Sequence, residues 1–283
     1  MARTKEANRS ELYVSPSAAA PVLIGFDGAE GGRDALELGR VLSSIRGTRR
    51  IVAIPDDERL VAEAREALED PEAQIDVIGV LQPATMLIES AKREGAGTLV
   101  VGSTRRGKVG RALVGSTAEL VLHKAPCEVV VAPRGYASEH HAGFARIAVA
   151  VDGTPESKVA LTRAEDLARQ AGATIEILVA SDPSVAAVES EFPRDAPAAM
   201  SDVLEAAVGS VDQALSPTGR KVDSGRRRVV STIAGALADA CEPGVDLLVA
   251  GSRRPWDRFL LGSVTKHLIS AAPCPVLVVP HAR

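Results

Sequence analysis

The sequence is poor in aromatic residues, in cysteine and in long apolar runs. Phe, Trp and Tyr make up 2% of the 283 residues, which leaves little material for the platforms on which nucleic-acid bases stack. The three cysteines, Cys127, Cys241 and Cys274, are too scattered for a disulfide framework or a metal site. No apolar run approaches the roughly 20 residues of a membrane helix, and the N-terminal segment lacks the apolar stretch of a secretory signal. We therefore expect a cytoplasmic protein with no metal centre and no membrane or nucleic-acid partner.

An excess of positive charge and the common catalytic signatures are also missing. With 33 Lys and Arg against 37 Asp and Glu the net charge is −4, which argues against a broad surface for nucleic acid. The motifs GxSxG and HExxH and the Walker lysine are absent, so we expect no enzyme activity. Hydrophobic residues make up 46% of the chain, and its length suits two folded domains.

The chain contains an internal repeat. Residues 111–133, RALVGSTAELVLHKAPCEVVVAP, match residues 258–280, RFLLGSVTKHLISAAPCPVLVVP, with ten identities in 23 positions and a constant offset of 147. Upstream, Asp27 corresponds to Asp152 at an offset of 125, so the second copy carries an insertion of about 22 residues, placed near 181–200. We therefore predict two domains, residues 20–135 (the first half) and residues 144–281 (the second half).

Strand and helix patterns alternate in both copies. Each copy begins with a β-branched run, an Asp-Gly turn and a helical pattern, and then continues in the same alternation. The strands are apolar without a polar face, which is typical of strands buried on both sides. This order favours right-handed crossovers and a parallel sheet with helices on both faces. The predicted fold class is α/β, as two tandem doubly wound parallel-sheet domains.

A ligand site is expected beyond the carboxyl ends of the strands, where the strand order of a doubly wound sheet reverses. The turn after the first strand carries Asp27 or Asp152, whose carboxylate suits a ribose hydroxyl or a hydrated metal ion. The end of the second strand, near Ile54 or Ala180, suits the apolar face of a base. An Asp-Gly pair is also a common turn, so a purely structural role for both aspartates stays open.

The loop after the fourth strand is the other candidate. It spans residues 102–117 and ends in Gly115, Ser116 and Thr117, at the start of a predicted helix. Free amide groups at a helix start, together with hydroxyls, suit an anion. Ser116, and Ser263 in the second copy, are also expected to cap the helices that follow.

Both halves resemble universal stress protein domains of the UspA superfamily. The nucleotide-binding members of that family carry a glycine motif after the fourth strand: G, two residues, G, nine residues, then G followed by Ser or Thr. The first half keeps this spacing with Gly102, Arg105, Gly115 and Ser116, but Arg105 stands in place of the middle glycine. A side chain there either blocks the approach of a phosphate or binds it through the guanidinium, and the sequence leaves both alternatives open.

The second half departs further from the motif. Its residues at these positions are Gly251, Arg254, Gly262 and Ser263, and the spacing from the first to the last glycine is 11 instead of 13. Pro255 stiffens the shortened loop. We therefore expect a nucleotide in the first half rather than in the second.

The resemblance implies a Rossmann-like fold, binding of ATP with magnesium, no strong catalysis and a role in the stress response. It also implies pairing through the last strand, so we expect an internal pseudo-dimer that joins residues 128–132 to 275–279 and covers both edges. A protein partner, not identified by the sequence, and a further homodimer fit the same picture. The alternative function is a nucleotide-free interaction scaffold in which both sites are degenerate.

Overall fold

The computed structural model describes residues 17, 19–68, 73–79, 82–103, 115–151, 154–180, 227–230, 244–252 and 263–280. In the described part of the first half, strands and helices alternate: β1 (Val22–Gly25), α1 (Glu30–Arg46), β2 (Arg50–Pro55), α2 (Glu58–Leu68), β3 (Gln74–Ile78), α3 (Pro83–Glu94), β4 (Thr98–Gly102), α4 (Ser116–Lys124) and β5 (Glu128–Ala132). The described elements of the second half are β6 (Arg146–Val151), α5 (Pro155–Ala171), β7 (Thr174–Ala180), β8 (Arg227–Val230), β9 (Leu247–Ser252), α6 (Ser263–Ala271) and β10 (Val276–Pro280).

The described strands form one sheet with the order β3-β2-β1-β4-β5-β10-β9-β6-β7-β8. All neighbours within each half are parallel. The last strands β5 and β10 are antiparallel and join the halves, with Val130 opposite Leu277. The α/β fold class, the doubly wound parallel sheets and the internal pairing of the last strands are therefore confirmed.

The sheet carries a hydrophobic core on each face. Side chains alternate along a strand, so Ile24 of β1 packs in the core that contains α1 and α5, whereas Leu23 packs in the core that contains α3, α4 and α6. Both cores continue across the junction of β5 and β10, since Val130 belongs to one and Val129 to the other. Among the described residues, no helix combines the length and the apolarity needed to cross a lipid bilayer.

The connection between the halves is fastened to α1. Residues 134–143 include a short 3₁₀ helix, Tyr136–Ser138. The buried carboxylate of Asp34 accepts two backbone amide groups of this segment, at 2.8 and 3.1 Å, and Glu37 accepts the amide of His141 at 3.0 Å. The connection thus packs as part of the first half rather than as a loose tether.

Candidate functional site

A cavity of about 770 Å³ opens at the carboxyl ends of β1 and β4. These strands are neighbours in the sheet, but the helix that follows β1 packs on one face and the helix that follows β4 packs on the other. The chain diverges here and leaves a crevice of the kind in which doubly wound sheets bind ligands. Its volume is typical of small-molecule sites. The polar side chains that line it are those of Asp27, Glu30, Ser103, Ser116, Thr117 and Arg134.

Five residues predicted from the sequence meet around this cavity: Asp27, Gly102, Gly115, Ser116 and Thr117. They come from three separate segments, namely the turn after β1, the end of β4 and the start of α4. A parallel sheet brings these ends to the same edge. The structure thus gathers them at the position that the fold predicts for a site.

The remaining predicted residues lie elsewhere or outside the described part of the chain. Ile54 is fully buried in the core and does not line the cavity, whereas the next residue, Pro55, does. Gly251 lies in β9 of the second half. Outside the described residues, wholly or in their side chains, lie Arg105, Asp152, Ala180, the insertion near 181–200, Arg254, Pro255, Gly262 and Ser263.

Asp27 lies in a tight turn between β1 and α1. Its Oδ1 atom accepts the amide N–H of Ala29 at 3.1 Å, and Gly28 between them has a φ of +74°. This positive φ favours glycine, and a Cβ atom there would lie 2.6 Å from Leu60 Cδ2, so the leucine side chain would also have to move. The Asp-Gly turn therefore exists, and the exposed Asp27 carboxylate also lines the cavity.

Gly102 is required by packing. A Cβ atom on Gly102 would collide with the backbone carbonyl oxygen of Gly31 in the first turn of α1. The same relation recurs in the second half, where a Cβ atom on Gly251 would collide with the carbonyl oxygen of Glu156 in α5. The first glycine of the motif thus lets a helix approach the end of a strand in both halves, whether or not a ligand binds.

The N-terminus of α4 meets the cavity without a side-chain cap. Gly115 is the N-cap, with an extended backbone (φ −64°, ψ 154°), and Ser116 is the first helical residue. The first intrahelical bond runs from the amide of Glu119 to the carbonyl oxygen of Gly115 at 2.8 Å. The expectation that Ser116 caps this helix is therefore wrong, because a glycine already holds that position. The Ser116 and Thr117 hydroxyls line the cavity beside the helix N-terminus, a combination that suits an anion.

Two lining residues were missed from the sequence, Ser103 and Arg134. The Ser103 side chain is buried, and its hydroxyl has no hydrogen-bond partner among the described residues. Arg134 follows β5, and its Nε atom donates to Glu30 Oε1 at 3.1 Å with both side chains about half exposed. The sequence could have indicated Arg134, because this residue directly follows β5. The strand β5 neighbours β4, and the carboxyl ends of both strands lie on the same edge of the sheet.

In the second half, a side chain caps the N-terminus of the first helix. Thr154 is the N-cap of α5, and its hydroxyl accepts the amide N–H of Ser157 at 3.3 Å. In the first half, Ala29 occupies the N-cap of α1 and has no hydroxyl to offer. Ala29 also lines the cavity, so this helix start is open toward it.

Comparison with known proteins places the chain in a family. The family model described as "Universal stress protein family" matches residues 12–133 and 143–280. None of the curated protein sequences compared with the chain matches it.

Solved structures show the same fold along nearly the whole chain. One is a universal stress protein from Archaeoglobus fulgidus DSM 4304, with 18% identity, 93% of this chain and 98% of that chain covered, and a TM-score of 0.66. Another is a functionally unknown protein from Pseudomonas aeruginosa PAO1, with 14% identity, 93% of each chain covered and a TM-score of 0.63. Since the family model matches the chain twice, over most of its length, the chain belongs to the universal stress protein family, in the tandem form with two such domains.

Proposed function

We propose that the protein is an ATP-binding, non-catalytic regulator of the stress response and that the first half, residues 20–135, holds the nucleotide. The observation that carries the proposal is the cavity at the ends of β1 and β4. It gathers an exposed carboxylate, three hydroxyls and a helix N-terminus without a side-chain cap from separate parts of the chain. Each of these groups has a counterpart in a nucleoside triphosphate.

The proposed contacts follow from the chemistry of the groups. Asp27 would accept from a ribose hydroxyl or hold a hydrated magnesium ion, which is bound in proteins by one or two carboxylates together with phosphate oxygens. The N-terminus of α4, with Gly115, Ser116 and Thr117, would bind phosphate oxygens. The apolar residues Pro55 and Met86 also line the cavity and suit the face of a base.

The buried hydroxyl of Ser103 supports a polar ligand. Buried polar atoms are almost always hydrogen-bonded, and leaving one without a partner costs roughly 1–3 kcal/mol. Ser103 Oγ has no partner among the described residues and lies at the cavity wall. A ligand oxygen or nitrogen atom would supply that partner.

The regulatory role is proposed to work through occupancy. When a nucleotide fills the cavity, the surface at this edge of the sheet changes, and a protein partner distinguishes the filled form from the empty one. The nucleotide is bound rather than turned over, so no step of the proposal needs a nucleophile or a general base.

Calorimetric titration of the purified protein with magnesium ATP tests the proposal. We expect saturable binding near one per chain, lost in Asp27→Ala. Asp57→Ala is the matched control, because Asp57 makes the same turn, accepting the amide of Arg59 at 2.9 Å, but does not line the cavity. Absence of binding by the wild type, in protein shown to contain no nucleotide, would overturn the proposal.

The alternative is a nucleotide-free scaffold. The observation that favours it is the packing of Gly102 against α1, which explains that glycine without a ligand. Arg105→Gly separates the two functions: binding by this variant but not by the wild type would mean that the site is built but closed. Nucleotide found at one per chain in freshly purified protein would exclude the scaffold.

A further inference from the structure

The two halves meet across a local twofold axis. Val130 and Leu277 face each other in the antiparallel pair, and they are also equivalent residues of the repeat, since 277 − 130 = 147. The axis therefore passes between them. A residue near the axis in one half lies close to its own equivalent in the other half.

Glu119 and Lys266 are such equivalents. They are 147 residues apart, and Lys266 Nζ donates to Glu119 Oε1 at 2.9 Å between α4 and α6. If two first halves paired in the same way, Glu119 would face a second Glu119. If two second halves did so, Lys266 would face a second Lys266. Opposite charges at equivalent positions thus favour only the pairing of a first half with a second half.

A buried ion pair adds a second distinction. Arg163 of α5 donates from Nε and Nη2 to the two carboxylate oxygens of Glu128 in β5, both at 2.7 Å. The side chains are 2% and 1% exposed. The Thr98 hydroxyl also donates to Glu128 at 2.6 Å, and Arg46 lies 3.8 Å away, but both belong to the same half as Glu128. Arg163, by contrast, belongs to the other half.

The ion pair between Glu128 and Arg163 cannot form when two like halves pair, because neither residue has an equivalent of the same kind in the other half. Because α1 and α5 are both 17 residues long, Arg163 corresponds to Leu38, and Glu128 corresponds to Pro275. Two first halves would each bury Glu128 against leucine instead of arginine. Two second halves would each bury Arg163 against proline. Glu128 would keep Arg46 at 3.8 Å but lose the two hydrogen bonds from Arg163, and removing one partner of a buried ion pair is strongly unfavourable.

We propose that the pairs Glu119–Lys266 and Glu128–Arg163 specify the union of a first half with a second half and exclude the union of either half with its own copy from another chain. The surface formed by β5, α1 and α4 accordingly takes one kind of partner, the β10, α5 and α6 surface of this protein. The inference does not depend on nucleotide binding.

The first experiment moves the arginine from the second half to the first. The full chain carries Leu38→Arg and Arg163→Leu, so that Glu128 meets an arginine across the junction only when two first halves pair. Val130→Cys places one cysteine on the twofold axis and so detects which halves have paired. In the same chain Cys127, Cys241 and Cys274 are replaced by alanine. A residue on the axis forms a disulfide between chains only in the pairing of like halves, because paired antiparallel residues lie within disulfide reach.

With the native arrangement of Glu128 and Arg163, refolding in oxidant should give almost no disulfide between chains, and Val130→Cys with Leu277→Cys should give one within the chain. After the arginine is moved, the product linked between chains should rise by about tenfold or more. Equal amounts of this product in both backgrounds would overturn the proposal.

The exposed pair provides an independent measurement that does not disturb the core. Glu119→Lys and Lys266→Glu each place like charges on the axis, and the chain with both substitutions restores an opposite pair. We expect each single variant to lower the folding equilibrium constant by a few-fold and the double variant to recover it. Single and double variants whose effects simply add would show no coupling and would contradict the proposal.

Discussion

The two halves start their first helices in different ways although the strand ends beneath them are alike. In both halves a glycine at the end of the fourth strand, Gly102 or Gly251, lets that helix approach the strand. In the second half Thr154 caps the helix, whereas in the first half Ala29 leaves the helix start open at the cavity wall. The glycine at the end of the fourth strand is therefore explained by helix packing alone. Whether the first helix has a side-chain cap decides whether its N-terminal amide groups are available to a ligand in the crevice.

The largest expected effect tests the shared part of this comparison. Gly102→Ala and Gly251→Ala should each lower the free energy of unfolding by about 3 kcal/mol or more, because the new Cβ atom meets a backbone carbonyl oxygen, which cannot move aside as the end of a side chain can. Denaturant unfolding measures this. Gly79→Ala is the control, since a Cβ atom there meets nothing within 4 Å. If Gly102→Ala lowers the free energy of unfolding and Gly251→Ala does not, the two halves also differ in how the first helix packs on the fourth strand.

The next effect concerns the cavity of the first half alone. Arg134→Gln should weaken the binding of magnesium ATP by about tenfold, because the guanidinium is the one cation among the described residues that line the cavity. Arg169→Gln is the matched control, an exposed arginine of the second half that pairs with Asp166. Equal affinities of the wild type and Arg134→Gln would show that Arg134 serves only its ion pair with Glu30.

A smaller effect tests the helix starts directly. Thr154→Val should destabilise the protein by about 1 kcal/mol through loss of the cap, and Ala29→Ser should stabilise it by roughly 0.5–1 kcal/mol by supplying one. Thermal unfolding of both variants provides the measurement. If Ala29→Ser gives no stability, the first amide groups of α1 are already satisfied and the contrast between the halves is weaker than the structure indicates.

The smallest effect is a pH dependence carried by two carboxyl groups of α1, whose equivalents in α5 are Val159 and Thr162. Burial raises the pKa of Asp34, although two backbone amides oppose it. For Glu37 burial also acts upward, but hydrogen bonds from Arg40 and the His141 amide outweigh it and lower the pKa.

The two shifts have opposite signs for stability. The contribution of Glu37 is present above its unfolded pKa and is lost as the pH falls through the lowered folded value; that of Asp34 weakens as the pH rises through its raised value. The free energy of unfolding, measured from neutral pH to about pH 3, should therefore fall less steeply with acid in Glu37→Gln than in the wild type. In Asp34→Asn it should fall more steeply. Parallel pH profiles in both variants would contradict this assignment.

The repeat and the parallel sheets could be predicted from the residues, because a constant offset and apolar strand runs can be read directly from the sequence. The joining of β5 to β10 was an implication of the family resemblance, and the structure confirms it. The sequence also predicted which chain segments meet at the cavity, since parallel strands of known order fix where their ends lie. Ile54 shows the limit of this reasoning. Side chains alternate along a strand, and that of Ile54 packs in the core that contains α1, so its neighbour Pro55 lines the cavity instead. An apolar run does not show which of its residues takes which side.

Other misses concern contacts between distant parts of the chain. Arg134 reaches the cavity because β5 lies beside β4, and the Ser103 hydroxyl is without a partner only in its folded surroundings, so neither contact can be read from the local sequence. The residue type of Ser116 predicts a cap, but α4 begins at Ser116 and Gly115 holds the N-cap position. Residue type predicts a local preference, and the position of the helix start decides which residue satisfies it.

The union of β5 with β10 also has a consequence for biosynthesis. The chain leaves the ribosome from its N-terminus, so β5 is complete about 150 residues before β10, which corresponds to roughly eight to thirty seconds of synthesis. During that interval EVVVA is an uncovered apolar edge strand, the kind of segment that pairs with other nascent chains. Glu128 places a negative charge on this edge throughout the wait, and a charge on an edge strand opposes such contacts. During synthesis, therefore, this edge strand carries the same carboxylate that later binds Arg163.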